Sequence, residues 1–270
     1  MGIRRRWNAL RPGLAVGTDA HNEDFWGIVF GRPSAALLLS LIADLPFVTP
    51  DRLTHLSNVL IAAGSLVLLV PRDWAFPVAA VLLNLSLTVD CADGQLARYR
   101  GRGSEVGSYY DKVSDTFGFT LMFACLGWVC HERTGDPLPF VLALVTLAGM
   151  LIMGYAKWLQ TSILYRMGHP PAPRLAPPPR SRMRLALDLA RRLLDFNEPD
   201  VFLWIGLALL MDHPEWSLYL LAPTQVYFAV LYSVRRGRAI AEAETGRTTD
   251  PAPRPPVRAG PPGPPPRPLA

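Results

Sequence analysis

The sequence predicts an all-α integral membrane protein, in which six transmembrane helices follow an N-terminal juxtamembrane amphipathic helix. Half of the 270 residues are hydrophobic and only 18% are charged, which is too apolar for an ordinary soluble domain. The apolar residues fall into long segments, and arginines stand at the ends of these segments. This arrangement is typical of helices that cross a bilayer several times.

The N-terminal part of the chain is predicted to stay at the membrane surface. Residues 1–21 are polar and basic and form a cytoplasmic N-terminus, and no apolar stretch with a cleavage site follows them. Residues 22–50 form a juxtamembrane helix region. Its apolar stretch Ala35–Leu45 is too short to span, and Asp44 and Pro46 interrupt its end, so we expect a helix that lies in the interface. A short first transmembrane span is the alternative.

Residues 51–237 are predicted to form the six-helix membrane domain. The approximate helices are Leu53–Val70, Trp74–Tyr99, Ser104–Cys130, Leu138–Tyr165, Pro199–Met211 and Trp216–Val234. A Pro- and Arg-rich cytoplasmic loop, residues 166–198, follows the fourth helix and contains a predicted amphipathic helix around Met183–Leu194. Residues 238–270 form a Pro-rich C-terminal tail that we expect to be disordered.

The positions of the arginines predict the orientation. In a six-helix arrangement most of them fall on one side of the membrane, and the loops on the other side carry only Arg72 and Arg133. Because positive charge is enriched in cytoplasmic loops, the arginine-rich side and both termini are cytoplasmic. This distribution explains the net charge of +5 without a nucleic-acid partner. The arginine-rich groups are Arg4–Arg6, Arg98–Arg102, the seven arginines of residues 166–192, and Arg235–Arg238.

Four aspartates lie inside two adjoining apolar segments, the second and third predicted helices. Asp90 and Asp93 are spaced i,i+3, and Asp111 and Asp115 are spaced i,i+4, so each pair shares one helix face. The turn around residues 101–103 is short, which predicts that the two helices are antiparallel neighbours. An ionisable side chain in a membrane helix is costly and usually marks a functional site. A structural polar network is the alternative interpretation.

The four carboxylates together predict a metal site. Like charges this close repel one another unless a cation holds them together. An all-oxygen ligand set suits hard cations such as Mg²⁺, Mn²⁺ or Ca²⁺. Small residues at Gly94, Ala97 and Gly107 keep the backbone clear on the shared face, and Arg98 completes a pocket near one membrane surface. We expect Asn84, earlier in the same helix, to make a helix–helix hydrogen bond.

At these residues the chain resembles a known family. It contains the spacing D-x2-D-G-x2-A-R-x8-G-x3-D-x3-D, which is similar to the signature of the CDP-alcohol phosphotransferases, integral membrane enzymes of phospholipid synthesis. The segment Thr49–Thr54 resembles the family's TPN-x-LT lead-in, with Asp51 in place of Asn. The surrounding hydropathy extends the resemblance through most of residues 22–237. All eight fixed positions are present: Asp90, Asp93, Gly94, Ala97, Arg98, Gly107, Asp111 and Asp115.

The resemblance implies a reaction and its partners. A CDP-linked donor is cleaved at its pyrophosphate, an acceptor hydroxyl attacks the distal phosphorus, and CMP leaves. The donor is either CDP-diacylglycerol with a water-soluble alcohol as acceptor, or a CDP-alcohol with diacylglycerol as acceptor. The motif does not distinguish these, because it binds only the shared CDP part. The resemblance also suggests a homodimer.

The resemblance assigns roles to the motif residues as well. Asp90, Asp93 and Asp111 are the expected metal ligands, for two Mg²⁺ or Mn²⁺ ions. Asp115 is expected to reach the metal too, and it is the candidate general base that takes the proton of the acceptor hydroxyl. A carboxylate-held metal pair can neutralise a diphosphate and clamp the attacking and leaving oxygens. The CDP moiety is expected to contact four residues: Gly94, Ala97, Arg98 and Gly107.

Two other functions compete with this one. A membrane prenyltransferase also uses Asp-rich motifs and Mg²⁺ on diphosphates, but its Asp clusters lie in separate halves of the chain, whereas here both lie within residues 90–115. A non-enzymatic cation carrier would hold its site near the bilayer midplane, whereas these aspartates cluster toward one surface. Release of CMP from a CDP-linked donor separates the first function from both others.

Overall fold

The computed structural model describes residues 7, 24–101, 105–169, 193 and 196–246, and every regular element in these ranges is helical. The predicted all-α class is confirmed. A π-helical turn, Gly27–Gly31, leads directly into the first α-helix. The α-helices of the described ranges are α1 Arg32–Ile42, α2 Pro50–Val67, α3 Ala75–Tyr99, α4 Glu105–Thr134, α5 Leu138–Arg166, α6 Glu198–Leu210 and α7 Pro214–Glu244.

Helices α2 to α7 correspond to the six predicted membrane helices. Four of them, α3, α4, α5 and α7, are long and apolar enough to cross a membrane. Helix α6 has only 13 residues, and its rise of about 20 Å is shorter than a hydrocarbon core of about 30 Å. The chain therefore has the character of a multi-pass membrane protein with four candidate spans among the described residues, and six crossings stay a prediction.

Local signals in the sequence set the ends of several helices around the aspartate motif of residues 90–115. The Thr49 hydroxyl precedes α2 and accepts a hydrogen bond from the Arg52 backbone N–H. Helix α6 begins with a capping box, in which Asn197 and Asp200 each accept a hydrogen bond from the other's backbone N–H. Gly101 follows α3 with a φ of +60°, which glycine adopts without strain and which ends the helix.

Helix α3 occupies the centre of the bundle. It packs against α1, α2 and α6, and its Leu83 and Leu87 are buried in the main apolar cluster. Helix α4 packs against α2 and α5, and α5 packs against α7. Where α5 meets α7, a Cβ atom on Gly149 would lie 3.0 Å from the backbone carbonyl carbon of Gln225. Glycine at this position therefore allows the two backbones to approach closely.

The juxtamembrane helix is present as α1, but its expected amphipathic character is not confirmed. Ala35 and Leu39 are buried against Leu96 of α3. The exposed face carries Leu37 and Leu41 rather than charged side chains. This helix is therefore apolar on both faces, which fits contact with lipid on one side and protein on the other.

The C-terminal boundary differs from the prediction. The tail was expected to begin at residue 238, whereas α7 continues to Glu244. The reason is local composition, since the residues after Gly237 are mostly alanine and glutamate, which favour helix, until Gly246 ends it. Several predicted segments lie outside the described residues: nearly all of 1–21, most of the 166–198 loop with its Met183–Leu194 helix, and the tail after Gly246.

Candidate functional site

Three of the four motif aspartates come together between α3 and α4. Asp90, Asp93 and Asp111 each offer one carboxylate oxygen, and these oxygens all lie within 4.8 Å of one another. Oxygen ligands around one Mg²⁺ or Ca²⁺ stand at most about 4–5 Å apart, since each lies 2.0–2.6 Å from the ion. The donor set and its spacing therefore fit a hard divalent cation.

The two motif helices do not pack as the direct neighbours that the short turn predicted. Within the described ranges α2 packs against both α3 and α4, whereas α3 and α4 make few close backbone contacts with each other. Carboxylates and cavities fill the space between them. A physical reason is the repulsion between like charges, since a close helix–helix contact would press the four aspartates together.

Asp115 lies outside the group of three carboxylates and is linked to it through a lysine. The Lys112 ammonium nitrogen is 3.0 Å from Asp111 Oδ2 and 3.0 Å from Asp115 Oδ2. Lysine therefore bridges the third and fourth motif aspartates. The expected roles of Asp115, as a metal ligand and as a base, stay predictions.

A threonine fixes one of the carboxylates. The Thr54 hydroxyl, on α2, donates a hydrogen bond to Asp93 Oδ2. Because Asp93 is buried, this bond orients a carboxylate that water cannot orient. No role was predicted for Thr54, although it ends the Thr49–Thr54 segment on which part of the family resemblance rests.

A cavity of about 280 Å³ adjoins the carboxylates on one side. It is lined by all four residues that were expected to contact a nucleotide, together with Asp93 and Asp111. A Cβ atom on Gly94 would lie 3.3 Å from Arg98 Nη1, so the glycine leaves room for the guanidinium. The four expected nucleotide contacts in its lining are Gly94, Ala97, Arg98 and Gly107.

Two further cavities lie on the other side of the carboxylates. One of about 190 Å³ is lined by Asp90, Lys112, Asp115 and Glu198, among others. A larger one of about 570 Å³ shares Lys112, Asp115 and Glu198 and extends along α4 and α5. Its far part is apolar, with Phe119, Leu147, Met150 and Leu151 in the lining. Asp115 thus stands where a polar pocket opens into an apolar groove.

A polar network holds the N-terminus of α6 beside this site. Asp200 accepts hydrogen bonds from the backbone N–H groups of Trp26, at 2.7 Å, and Asn197, at 3.0 Å. The Trp26 indole N–H donates to Asn84 Oδ1 at 2.7 Å. The expected helix–helix hydrogen bond of Asn84 is confirmed, because its amide also donates to the carbonyl of Phe202 in α6. These bonds fix the first turn of α6, which carries Glu198.

An ion pair completes this network at the edge of the bundle. Arg32 Nη2 lies 3.0 Å from Asp24 Oδ1. Burial raises the pKa of the Asp24 carboxyl above its ordinary value, and the neighbouring Arg32 guanidinium opposes that rise. Arg32 therefore favours the charged form of this carboxylate.

Comparisons with known proteins agree on one family. The family model for CDP-alcohol phosphatidyltransferases matches residues 47–210. The "Bifunctional IPC transferase and DIPP synthase" of Thermococcus kodakarensis is 30% identical over 109 residues, which cover 40% of this chain and 24% of the relative. The phosphatidylinositol phosphate synthase of Mycobacterium marinum is 33% identical over 109 residues, which cover 40% of this chain and 46% of the relative. The matches thus span less than half the length of these relatives.

A solved structure has the same fold. The crystal structure of phosphatidylinositol phosphate synthase from Mycobacterium tuberculosis, with CDP-DAG bound, superposes with a TM-score of 0.50. The superposition covers 77% of this chain and 92% of that one, at 20% sequence identity. Since the family match extends over more than half of the sequence and contains the complete aspartate signature, the chain belongs to the CDP-alcohol phosphatidyltransferase family.

Proposed function

We propose that this protein transfers a substituted phosphate group from a CDP-linked donor to the hydroxyl of an acceptor alcohol, with release of CMP, in phospholipid biosynthesis. One observation carries the proposal: three carboxylate oxygens lie within 4.8 Å of one another, and two of their residues, Asp93 and Asp111, line the cavity that also holds the expected nucleotide contacts. A nucleotide seated in that cavity has its diphosphate beside the carboxylates. Membership of the family supports the same reaction.

The proposed metal ligands are Asp90, Asp93 and Asp111, with Asp115 as a ligand to a second ion. Bound Mg²⁺ or Mn²⁺ neutralises the charge of a diphosphate and makes its phosphorus easier to attack. The chain's own groups do the positioning. The Arg98 guanidinium lines the nucleotide cavity and can pair with phosphate oxygens. The Thr54 hydroxyl keeps one oxygen of Asp93 in a fixed orientation.

Asp115 is the proposed general base. It lines the cavity of about 190 Å³, which shares no residue with the lining of the nucleotide-side cavity, so an acceptor hydroxyl there reaches it without displacing the nucleotide. The carboxylate takes the hydroxyl proton, the acceptor oxygen bonds to the distal phosphorus, and the bond from that phosphorus to the bridging oxygen breaks. CMP leaves with the bonding electrons.

The proposed donor is CDP-diacylglycerol, and the proposed acceptor is a water-soluble alcohol. The structural neighbour from Mycobacterium tuberculosis has CDP-DAG bound, and the relative from Mycobacterium marinum is a phosphatidylinositol phosphate synthase. The apolar groove of about 570 Å³ along α4 and α5 fits an acyl chain next to the carboxylates. We further propose that α2 to α7 all cross the membrane, with the site and both termini cytoplasmic, and a homodimer stays a prediction.

A donor-by-acceptor assay of the purified protein in detergent tests the proposal. CDP-diacylglycerol and CDP-alcohols are each paired with a panel of alcohols, and CMP release and product mass are measured. We expect CMP release with CDP-diacylglycerol, its loss in excess chelator, and its return with Mg²⁺ or Mn²⁺. The Asp90→Asn variant serves as the inactive control. Full activity in chelator would contradict the metal assignment, and release of diphosphate from a prenyl donor instead would favour the prenyltransferase alternative.

A further inference from the structure

The Lys112 ammonium group forms ion pairs with two carboxylates of the proposed metal site. Its ammonium nitrogen is 3.0 Å from one oxygen of Asp111, a member of the three-carboxylate group, and 3.0 Å from one oxygen of Asp115. It also lines the same two cavities as Asp115. Lys112 occupies a variable position of the signature, so none of the roles given above explains it.

The type of residue at this position is informative. The chain has 27 lysine and arginine residues, and only two of them, Lys112 and Lys157, are lysines. An arginine would present a rigid fork that binds a carboxylate through two parallel hydrogen bonds and does not leave easily. A lysine is a compact charge on a flexible stem. A lysine between Asp111 and Asp115 therefore pairs with them through an ammonium group that can leave and be replaced by another cation.

We propose that Lys112 is a built-in competitor of the divalent cation: its ammonium pairs with Asp111 and Asp115 and must move off Asp111 before the ion can take that oxygen. This inference rests on the metal site of the proposed function. The Lys112 ammonium is accessible enough to leave the carboxylates, because the Lys112 side chain is 46% exposed, whereas those of Asp111 and Asp115 are each 26% exposed. A lysine so placed has room to turn toward the cavity.

The positive charge of Lys112 has opposite effects on the stability of the ion-free protein and on the binding of an ion. Four aspartates repel one another, and a single ammonium 3.0 Å from two of them relieves part of that repulsion. The same ammonium repels a divalent ion that binds a few ångströms away, and it occupies a lone pair on one Asp111 oxygen that an ion could otherwise use. Lys112 therefore stabilises the folded protein when no ion is bound and weakens the binding of the ion.

Removing the charge separates this role from a structural one. In Lys112→Met, which keeps an unbranched side chain of nearly the same length without the charge, we expect the dissociation constant for Mn²⁺ alone to fall by roughly ten- to a hundredfold. It is measured as free Mn²⁺ by electron paramagnetic resonance on the full-length protein in detergent. In excess chelator the melting temperature of Lys112→Met should lie below that of the wild type. A side chain that only supported the fold would weaken Mn²⁺ binding when lost.

Two control variants complete the experiment. Lys112→Arg keeps the charge and should not tighten Mn²⁺ binding, and Lys157→Met removes the chain's other lysine, which lines none of the three cavities described here. Unchanged or weaker Mn²⁺ binding in Lys112→Met overturns the inference and leaves the proposed function standing. Should that variant fail to fold, Lys112→Gln is measured in its place against the same criterion. A wild-type protein that binds no Mn²⁺ overturns both.

Discussion

Asp111 and Asp115 stand one helical turn apart on α4, yet their surroundings differ. Asp111 belongs to the three-carboxylate group and lines the cavity of about 280 Å³ that is proposed to hold the nucleotide. Asp115 lies outside that group and lines the two cavities on the opposite side. The two aspartates therefore share one face of α4 but border different cavities. This difference supports the proposed roles, in which Asp111 binds metal and Asp115 contacts the acceptor.

This division predicts the behaviour of Asp115→Asn. The substitution keeps the shape of the side chain and removes the basic oxygen, so turnover should fall by roughly two to four orders of magnitude. Donor binding should persist, because the nucleotide cavity and the three-carboxylate group are unchanged. Turnover is measured as CMP release, and donor binding as equilibrium binding of a CDP-linked lipid.

Asp90→Asn is the matched comparison for that prediction, since it should weaken metal binding and turnover together. Near wild-type turnover in Asp115→Asn would mean that another group takes the proton. Loss of donor binding as large as in Asp90→Asn would make Asp115 chiefly a metal ligand.

At the scale of the helices, close contacts through glycine hold α5 against α7. Gly149 has no space for a side chain, because a Cβ atom would lie 3.0 Å from the backbone of Gln225. Gly154, further along the same helix, would place its Cβ in open space. The two glycines therefore offer a matched pair, in which only one is required by packing.

We expect Gly149→Ala to destabilise the fold and Gly154→Ala to leave it unchanged or slightly stabilised. Overpacking a tight contact costs about 1–3 kcal/mol, whereas alanine in an open helix position gains roughly 0.5–1 kcal/mol over glycine. Each kcal/mol shifts the melting temperature by about 2–4 °C for a chain of this size. Thermal unfolding in detergent measures both variants, and equal melting temperatures would refute the packing role of Gly149.

Sequence patterns predicted the positions of the helices well and the contacts between the helices poorly. The apolar segments located α2 to α7, and the motif identified the residues that line the nucleotide cavity. The separation of α3 from α4 was not predictable from the short turn between them, because it depends on the packing of α2 against both helices. The hydrogen bond from Thr54 to Asp93 was missed because a contact between helices leaves no periodic signal. The pairing of Lys112 with Asp115 lies within α4, at an i,i+3 spacing that is visible in the sequence.

For the whole molecule, the arginine distribution predicts that the site faces the cytoplasm. Thr245 follows the C-terminal end of α7, and Asp136 lies in the turn between α4 and α5, at the opposite end of the bundle under that topology. The native cysteines compete little as targets, because Cys125 and Cys130 are buried and Cys91 is half-buried.

Cysteines introduced singly at these positions test the orientation. In intact cells Asp136→Cys should react with a membrane-impermeant thiol reagent, and Thr245→Cys should react only after lysis. The extent of labelling is read by mass spectrometry, with the unsubstituted protein as background. The reverse pattern would place the aspartates on the outer side and remove the cytoplasmic site.

The short length of α6 has a consequence for how substrates arrive. Asp115 lies ten residues into α4, about 15 Å along its axis from Glu105, and Glu198, the first residue of α6, lines the same cavities as Asp115. Helix α6 therefore starts beside the third turn of α4. Under the proposed topology, a helix shorter than the hydrocarbon core is accommodated by local thinning of the bilayer. An acceptor alcohol that reaches Asp115 from the cytoplasm would then cross less hydrocarbon than elsewhere in the membrane, and the acyl chains of the proposed donor would enter from the side.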